Sequence, residues 1–228
     1  MQINADFTRR VAVHPDARAW RASPVPGVER LMLDRLGDEV ARATSLVRFA
    51  PGSAFSPHIH DGGEEYLVLD GVFQDESGDF PVGSYVRNPP TSRHRPASAP
   101  GCTIFVKLWQ FDPDDRHAVT LATGDLALAP VADRPGVRAA TLHADRRETV
   151  RLEHWQPGAT IAADPAGGLE LLCLDGGFSE AGEDFGPWSW LRLPAGVPLR
   201  ATAGAEGCRL WLKEGHLRQA PAAPPAAG

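Results

Sequence analysis

At 228 residues with 43% hydrophobic side chains, the chain is long enough to bury a sizeable core without disulfides. Its formal net charge of −6 offers no basic excess for a phosphate backbone or an anionic surface, and no apolar run approaches the ~20 residues of a membrane span. Neither nucleic acid nor a membrane is an expected partner, and the start MQINADFTRRVAVH, lacking the apolar stretch of a secretory signal, gives a cytoplasmic expectation.

Along the chain, 23 glycines and 21 prolines punctuate short apolar runs. The first, DRLGDEVARATSLV, has a superficial helical look, but its β-branched end suits a strand better. EYLVLDG, TIFVKLWQF, LELLCLDG and CRLWLK read as further strands between turns, so the fold class is all-β. Cys102, Cys173 and Cys208 lie inside such runs and form no Cys-x-x-Cys pair, which makes them buried, reduced thiols. The last ten residues, QAPAAPPAAG at 219–228, hold nothing with which to build a core and read as a flexible tail.

The sequence also repeats itself. The segment from Pro51-Gly52 matches that from Pro157-Gly158: Leu69-Asp70-Gly71 with Leu174-Asp175-Gly176, Phe73 with Phe178, Asp79-Phe80 with Asp184-Phe185, Arg87 with Arg192, Cys102 with Cys208 and Lys107 with Lys213. The offsets hold at 105 to 106 residues, a register that shared composition would not keep. Two fused β-sandwiches or barrels are expected, over 1–116 and 117–218, with a linker near DPDDRHAVTLATGD. Residues that recur in both halves, Arg87, Lys107, Arg192 and Lys213 among them, belong to the framework on this reading.

Chemistry concentrates in the first half. His58-Ile59-His60 puts two imidazoles on one face of a strand, Glu64 follows the turn-like Asp61-Gly62-Gly63, and His94 comes after Asn88-Pro89-Pro90 on a later strand. Three imidazoles and a carboxylate suit Fe(II), Zn(II), Mn(II), Ni(II) or Cu(II). Glu65 is the neighbouring alternative to Glu64, although the six-residue spacing to Gly71 favours Glu64. Tyr66 shares the face of Glu64 by strand alternation and is the candidate catalytic side chain, a phenol able to hydrogen-bond a bound ligand. Phe55 and Trp109 are candidates to line a pocket. The other histidines, His14, His117, His143, His154 and His216, show no ligand spacing.

The run G-x5-H-x-H-x3-E-x6-G from Gly52, followed by G-x2-PVG and His94, resembles the two signature motifs of the cupin superfamily. More narrowly, HIHDGGEEYLVLDGVFQDESGDFPVGSYVRNPPTSRH with GCTIFVKL is similar to the ChrR-like cupin family. The resemblance implies two tandem jelly-roll β-barrels and one divalent ion, Fe2+ or Zn2+ before Mn2+ or Ni2+, held by His58, His60, Glu64 and His94. In the second half the histidine positions fall on Ala163-Asp164-Pro165-Ala166 and near Arg200, and Glu64 falls near Leu169 or Glu170, so that repeat should bind no metal.

Three functions compete. One is a non-haem iron dioxygenase acting on a small carbonyl or phenolic substrate; a second is a ChrR-like metal-dependent sensor; a third is a barrel merely stabilised by metal. The sequence ahead of the first motif carries no helical segment with extra Cys and His ligands, so direct sigma-factor binding is not expected. A small molecule is the expected partner, and a homodimer is the family-level expectation.

Overall fold

The structure, a computed structural model, describes residues 1–15, 20–38, 40–219 and 221–224. Of the 219–228 segment, residues 220 and 225–228 therefore lie outside the described residues. The chain is built of β-strands arranged as jelly rolls, and no α-helix occurs among the described residues. The ambiguous DRLGDEVARATSLV is a hairpin: Val28–Gly37 runs antiparallel to Ala41–Phe49.

Two compact units are present: Met1–Ala5, Ala19–Gly124 and Ala222–Gly228 make one, and Asp6–Arg18 with Asp125–Pro221 the other. Their boundary differs from the break at 116 drawn on sequence. Val119–Ala122 completes the sheet of the first unit by pairing with Ser84–Asn88, whereas Val11–Val13 pairs with Trp190–Leu193 in the second. Backbone hydrogen bonding assigns these short strands, and an apolar pattern does not reveal which partner a strand will find.

In the first unit the main sheet runs Gln2–Ile3, Val28–Gly37, Ala41–Phe49, Cys102–Leu108, Glu64–Asp75, Ser84–Asn88 and Val119–Ala122, with neighbours antiparallel. The outer end of Glu64–Asp75 leaves this sheet to pair with Gly78–Pro81 and Ala97–Ser98. Gly71 makes the change of direction possible. Its φ is +69°, and a Cβ there would lie 2.0 Å from the carbonyl oxygen of Gly101, so only glycine fits. Along this strand Tyr66 and Val68 turn inward to join Val47, Phe49, Phe73, Val86 and Ile104 in the core.

The opposite face of the same strand carries charge. Glu65 is in register with Arg87 on one side and Lys107 on the other, and all three are at most 2% exposed. Arg87 lies 3.5 Å from Glu65, which also accepts a 2.7 Å hydrogen bond from Tyr85, while Lys107 donates to Thr44 at 2.9 Å. Such a buried ionic row persists only because its members neutralise one another.

The second unit has its own sheet, ordered Ala129–Pro130, Val137–Ala144, Thr149–Trp155, Leu199–Glu214, Leu169–Glu180, Trp190–Leu193 and Val11–Val13. Its core holds Trp155, Leu169, Leu171, Cys173, Phe178, Phe185, Leu199 and Leu210. Glu170, Arg192 and Lys213 stand in register across three of its strands, each no more than 1% exposed. Gly176, at φ +69°, faces the carbonyl of Gly207 at 2.1 Å from where a Cβ would be.

Candidate metal centre

The short strand His58–His60 pairs with Ser92–His94, so that His94 is opposite His58 and Ser92 opposite His60. Residues two apart on a strand, and residues directly opposite across a pair, project to one face. The intervening Ile59 accordingly points away and is 59% exposed. The three imidazoles converge, with one ring nitrogen from each of His58, His60 and His94 lying within 4.8 Å of the others. His60 Nε2 is 2.8 Å from His94 Nε2. Glu64 Oε2 stands 3.5 Å from His60 Nε2 and 3.4 Å from His94 Nε2.

In two of these rings the other nitrogen is already engaged. His58 Nδ1 meets the carbonyl oxygen of Ser56 at 2.9 Å, and His94 Nδ1 meets Asp75 Oδ2 at 3.0 Å. A carbonyl or carboxylate can only accept, so in His58 and His94 Nδ1 is the donor and Nε2 is left facing the cluster. Burial is the main cause holding His60 below the usual imidazole value, against an opposing pull from Glu64. Three imidazoles converging beside a carboxylate form a donor set that a divalent cation fits, and Asp75 holds the His94 ring as outer carboxylates do in known sites.

Glu64 also accepts from Asn88 Nδ2 at 3.1 Å, whereas Glu65 belongs to the buried ionic row on the other face. Strand alternation thus separates the two glutamates that sequence alone left as alternatives. Tyr66 is 1% exposed, its ring 4.7 Å from Phe73, and its hydroxyl has no hydrogen-bond partner among the described residues. Burial, reinforced by Glu64 and Asp75, pushes its ionisation far up, so it is a neutral phenol.

Beside the histidines lies a cavity of about 270 Å³, walled by Phe55, Phe73, Val106 and Trp109 as well as His58, His60 and Glu64. Trp109 covers the turn before Glu64: a Cβ on Gly62 would fall 2.2 Å from its indole ring. Tyr66 is in the core and is not among the wall residues. Sequence reading did not single out Asp75, Asn88 or the Ser56 carbonyl, because none sits at a recognisable spacing from the ligands it supports. Of the remaining histidines, His14 contacts Glu183 and Ser189, and His216 contacts Glu170.

This architecture is the cupin fold. Residues 8–112 match the family model of the ChrR Cupin-like domain, the family that the motifs resemble. A dioxygenase candidate from Nostoc punctiforme superposes with a TM-score of 0.69 at 15% identity, covering 100% of this chain and 87% of that one. A glyoxylate-induced protein candidate from Pseudomonas aeruginosa gives 0.74 at 15% identity, covering 95% and 91%. The bacterial pirin YhhW from Escherichia coli, solved with nickel(II), gives 0.64 at 12% identity, covering 90% and 98%. No curated protein matches the sequence. At these identities the likeness establishes the fold, and chemistry must be argued from the site. Among the described residues no helix is long and apolar enough to cross a membrane.

Proposed function

We propose that His58, His60, His94 and Glu64 hold one divalent metal ion and that the protein is a metal-dependent enzyme, a non-haem Fe(II) dioxygenase acting on a small carbonyl or phenolic compound. The observation that carries this reading is the largely apolar cavity of about 270 Å³ opening directly onto the histidine cluster. Bound iron would supply a Lewis-acidic, redox-active centre with open positions for substrate and dioxygen.

The chain's own residues do the rest. Asp75 and the Ser56 carbonyl orient two of the rings, and Asn88 steadies Glu64. Phe55, Phe73 and Trp109 give the chamber an aromatic side. Tyr66, a protonated phenol without a partner among the described residues, stands in the core against Phe73 and off the chamber wall, so its proposed role is to position the site rather than to touch a ligand.

The chain as a whole is read as a duplicated cupin whose second repeat is degenerate. The recurrent register of Glu65, Arg87 and Lys107 in Glu170, Arg192 and Lys213 supports this, as does the shared geometry of Gly71 and Gly176.

The deciding experiment is metal content by mass spectrometry of protein purified without chelator, beside a His58→Ala/His94→Ala variant. About one iron per chain, lost in the variant, together with oxygen uptake on diketones or phenolic ketones, is the expected result; absence of metal even after reconstitution would overturn it. The match to the ChrR Cupin-like domain favours a second reading, a metal-dependent sensor. Zinc at the same stoichiometry, with no oxygen uptake after iron loading, would select it.

A further inference from the structure

The cavity beside the histidines has a feature that metal binding does not use: two arginines, Arg30 and Arg35, form part of its wall. Both come from the strand Val28–Gly37, and simple alternation would put them on opposite faces. A bulge intervenes. The register to Ala41–Phe49 shifts between Met32 and Asp34, so that Arg30 faces Val47 while Arg35 faces Ala43. Leu33 and Asp34, both 0% exposed, take the other face together, and Arg35 is turned back to the cavity side.

Among the described residues Arg30 meets no counter-charge, whereas Arg35 lies within the field of Asp38. Arg30 is half-buried, and among the described residues its guanidinium has no hydrogen-bond or ion-pair partner. Burial, and after it the like charge of Arg35, disfavours its charged form. Arg35 donates to the backbone carbonyl of Asp38, while the Asp38 carboxylate is engaged by the amino terminus. The acids on the cavity wall are Glu64, which lies against the histidines, and the exposed Asp61.

Desolvating a guanidinium without a counter-charge is unfavourable, so its retention beside a chamber needs an anion supplied from outside. The planar fork of an arginine matches the two oxygens of a carboxylate. The row Arg35, Ala43, Leu108, Glu64 crosses the sheet in register. Its three inter-strand steps of about 4.8 Å each leave room for a small molecule between the arginines and the histidines. We propose that the cavity takes a carboxylate-bearing small molecule, with its acid group held by Arg30 and Arg35 and its other end presented to the histidine cluster. This deepens the enzyme reading by naming its substrate class, and it rests on that reading only for the role of the metal.

Calorimetric binding to the purified full chain, with its metal content measured alongside, tests the proposal. Benzoylformate and its neutral isostere benzoylformamide share a carbonyl end and a ring and differ only at the acid, and a panel of shorter 2-oxo acids and their amides extends the comparison. Acids should bind at least about tenfold more tightly than their amides, a difference worth roughly 1.4 kcal/mol. In Arg30→Gln that preference should fall severalfold, and in Arg30→Gln/Arg35→Gln it should vanish, with metal content unchanged in both. Equal affinity for acids and amides, a preference that survives the double variant, no saturable binding of any acid in the panel, or displacement of the acids by equimolar inorganic phosphate would each overturn it. Protein that takes up no metal even after reconstitution but still prefers acids would sink the metal reading and leave this one standing; metal-loaded protein with no such preference would do the reverse.

Discussion

The two units carry the same kind of buried ionic row and the same glycine bend, yet they differ at the start of one strand. In the first unit Glu64 opens the strand Glu64–Asp75 and stands 3.4 and 3.5 Å from two histidine nitrogens. In the second, Leu169 opens the strand Leu169–Glu180 and is 1% exposed in an apolar core. The neighbouring pairs follow suit. His58 is opposite His94 in one unit, whereas Ala163 is opposite Leu199 in the other, with Leu199 fully buried. Arg200 and Asp164 form a 2.9 Å pair, but at 56% and 75% side-chain exposure they are a solvated surface contact. A β framework thus depends on its glycines, apolar alternation and ionic row, while the mouth of the barrel is free to carry either donors or methyl groups.

Exchanging the two strand-opening residues should break this contrast most strongly. Leu169→Glu would bury a carboxylate with no partner and should destabilise the protein by roughly 3–5 kcal/mol in urea unfolding. Glu64→Leu in metal-free protein should cost less than about 1 kcal/mol, since Glu64 adds charge to a cavity mouth rather than packing. Equal effects from both changes would mean that the second unit tolerates a donor at its mouth after all.

Asp75→Asn tests whether ring orientation matters in the first unit. An amide can offer its oxygen to the same Nδ1 proton but without the charge, and metal affinity, read by competition with a fluorescent chelator, should drop about 10- to 100-fold. Unchanged affinity would remove Asp75 from the site. Tyr66→Phe deletes a hydroxyl with no partner among the described residues, so unfolding stability should move by less than about 1 kcal/mol while turnover falls. A loss of stability without a change in turnover would make Tyr66 a core residue only.

The smallest effect concerns the thiols, which both units bury. Burial pushes Cys102 up to about 11, and Cys173 and Cys208 up to about 12, from a usual 9.0. Because these folded values lie above the unfolded one, the thiols favour unfolding only as pH rises above about 9, when the unfolded chain alone ionises. At pH 8 none should react with a chromogenic disulfide until urea is added; rapid labelling of native protein would contradict their burial.

Much of the site could be read from spacing. The i, i+2 histidines and the run to Gly71 mark a strand face, and the model of the matching family covers that stretch. What spacing could not supply were contacts between distant strands. Asp75 reaches His94 from the far end of the strand that Glu64 opens, and Arg35 reaches the cavity wall only through a bulge that no composition announces. The place of Val119–Ala122 is of the same kind, because it is set by pairing with Ser84–Asn88.

The sequence by itself determined the all-β class, the apolar faces of the strands, the buried thiols and the residue types gathered at the first motif, since alternation and turn chemistry are local properties. Tertiary structure decided which of Glu64 and Glu65 faces the histidines, which short strand completes which sheet, and that two arginines share a cavity with three imidazoles. Those outcomes depend on strand register, and a shift of one residue moves every side chain to the opposite face.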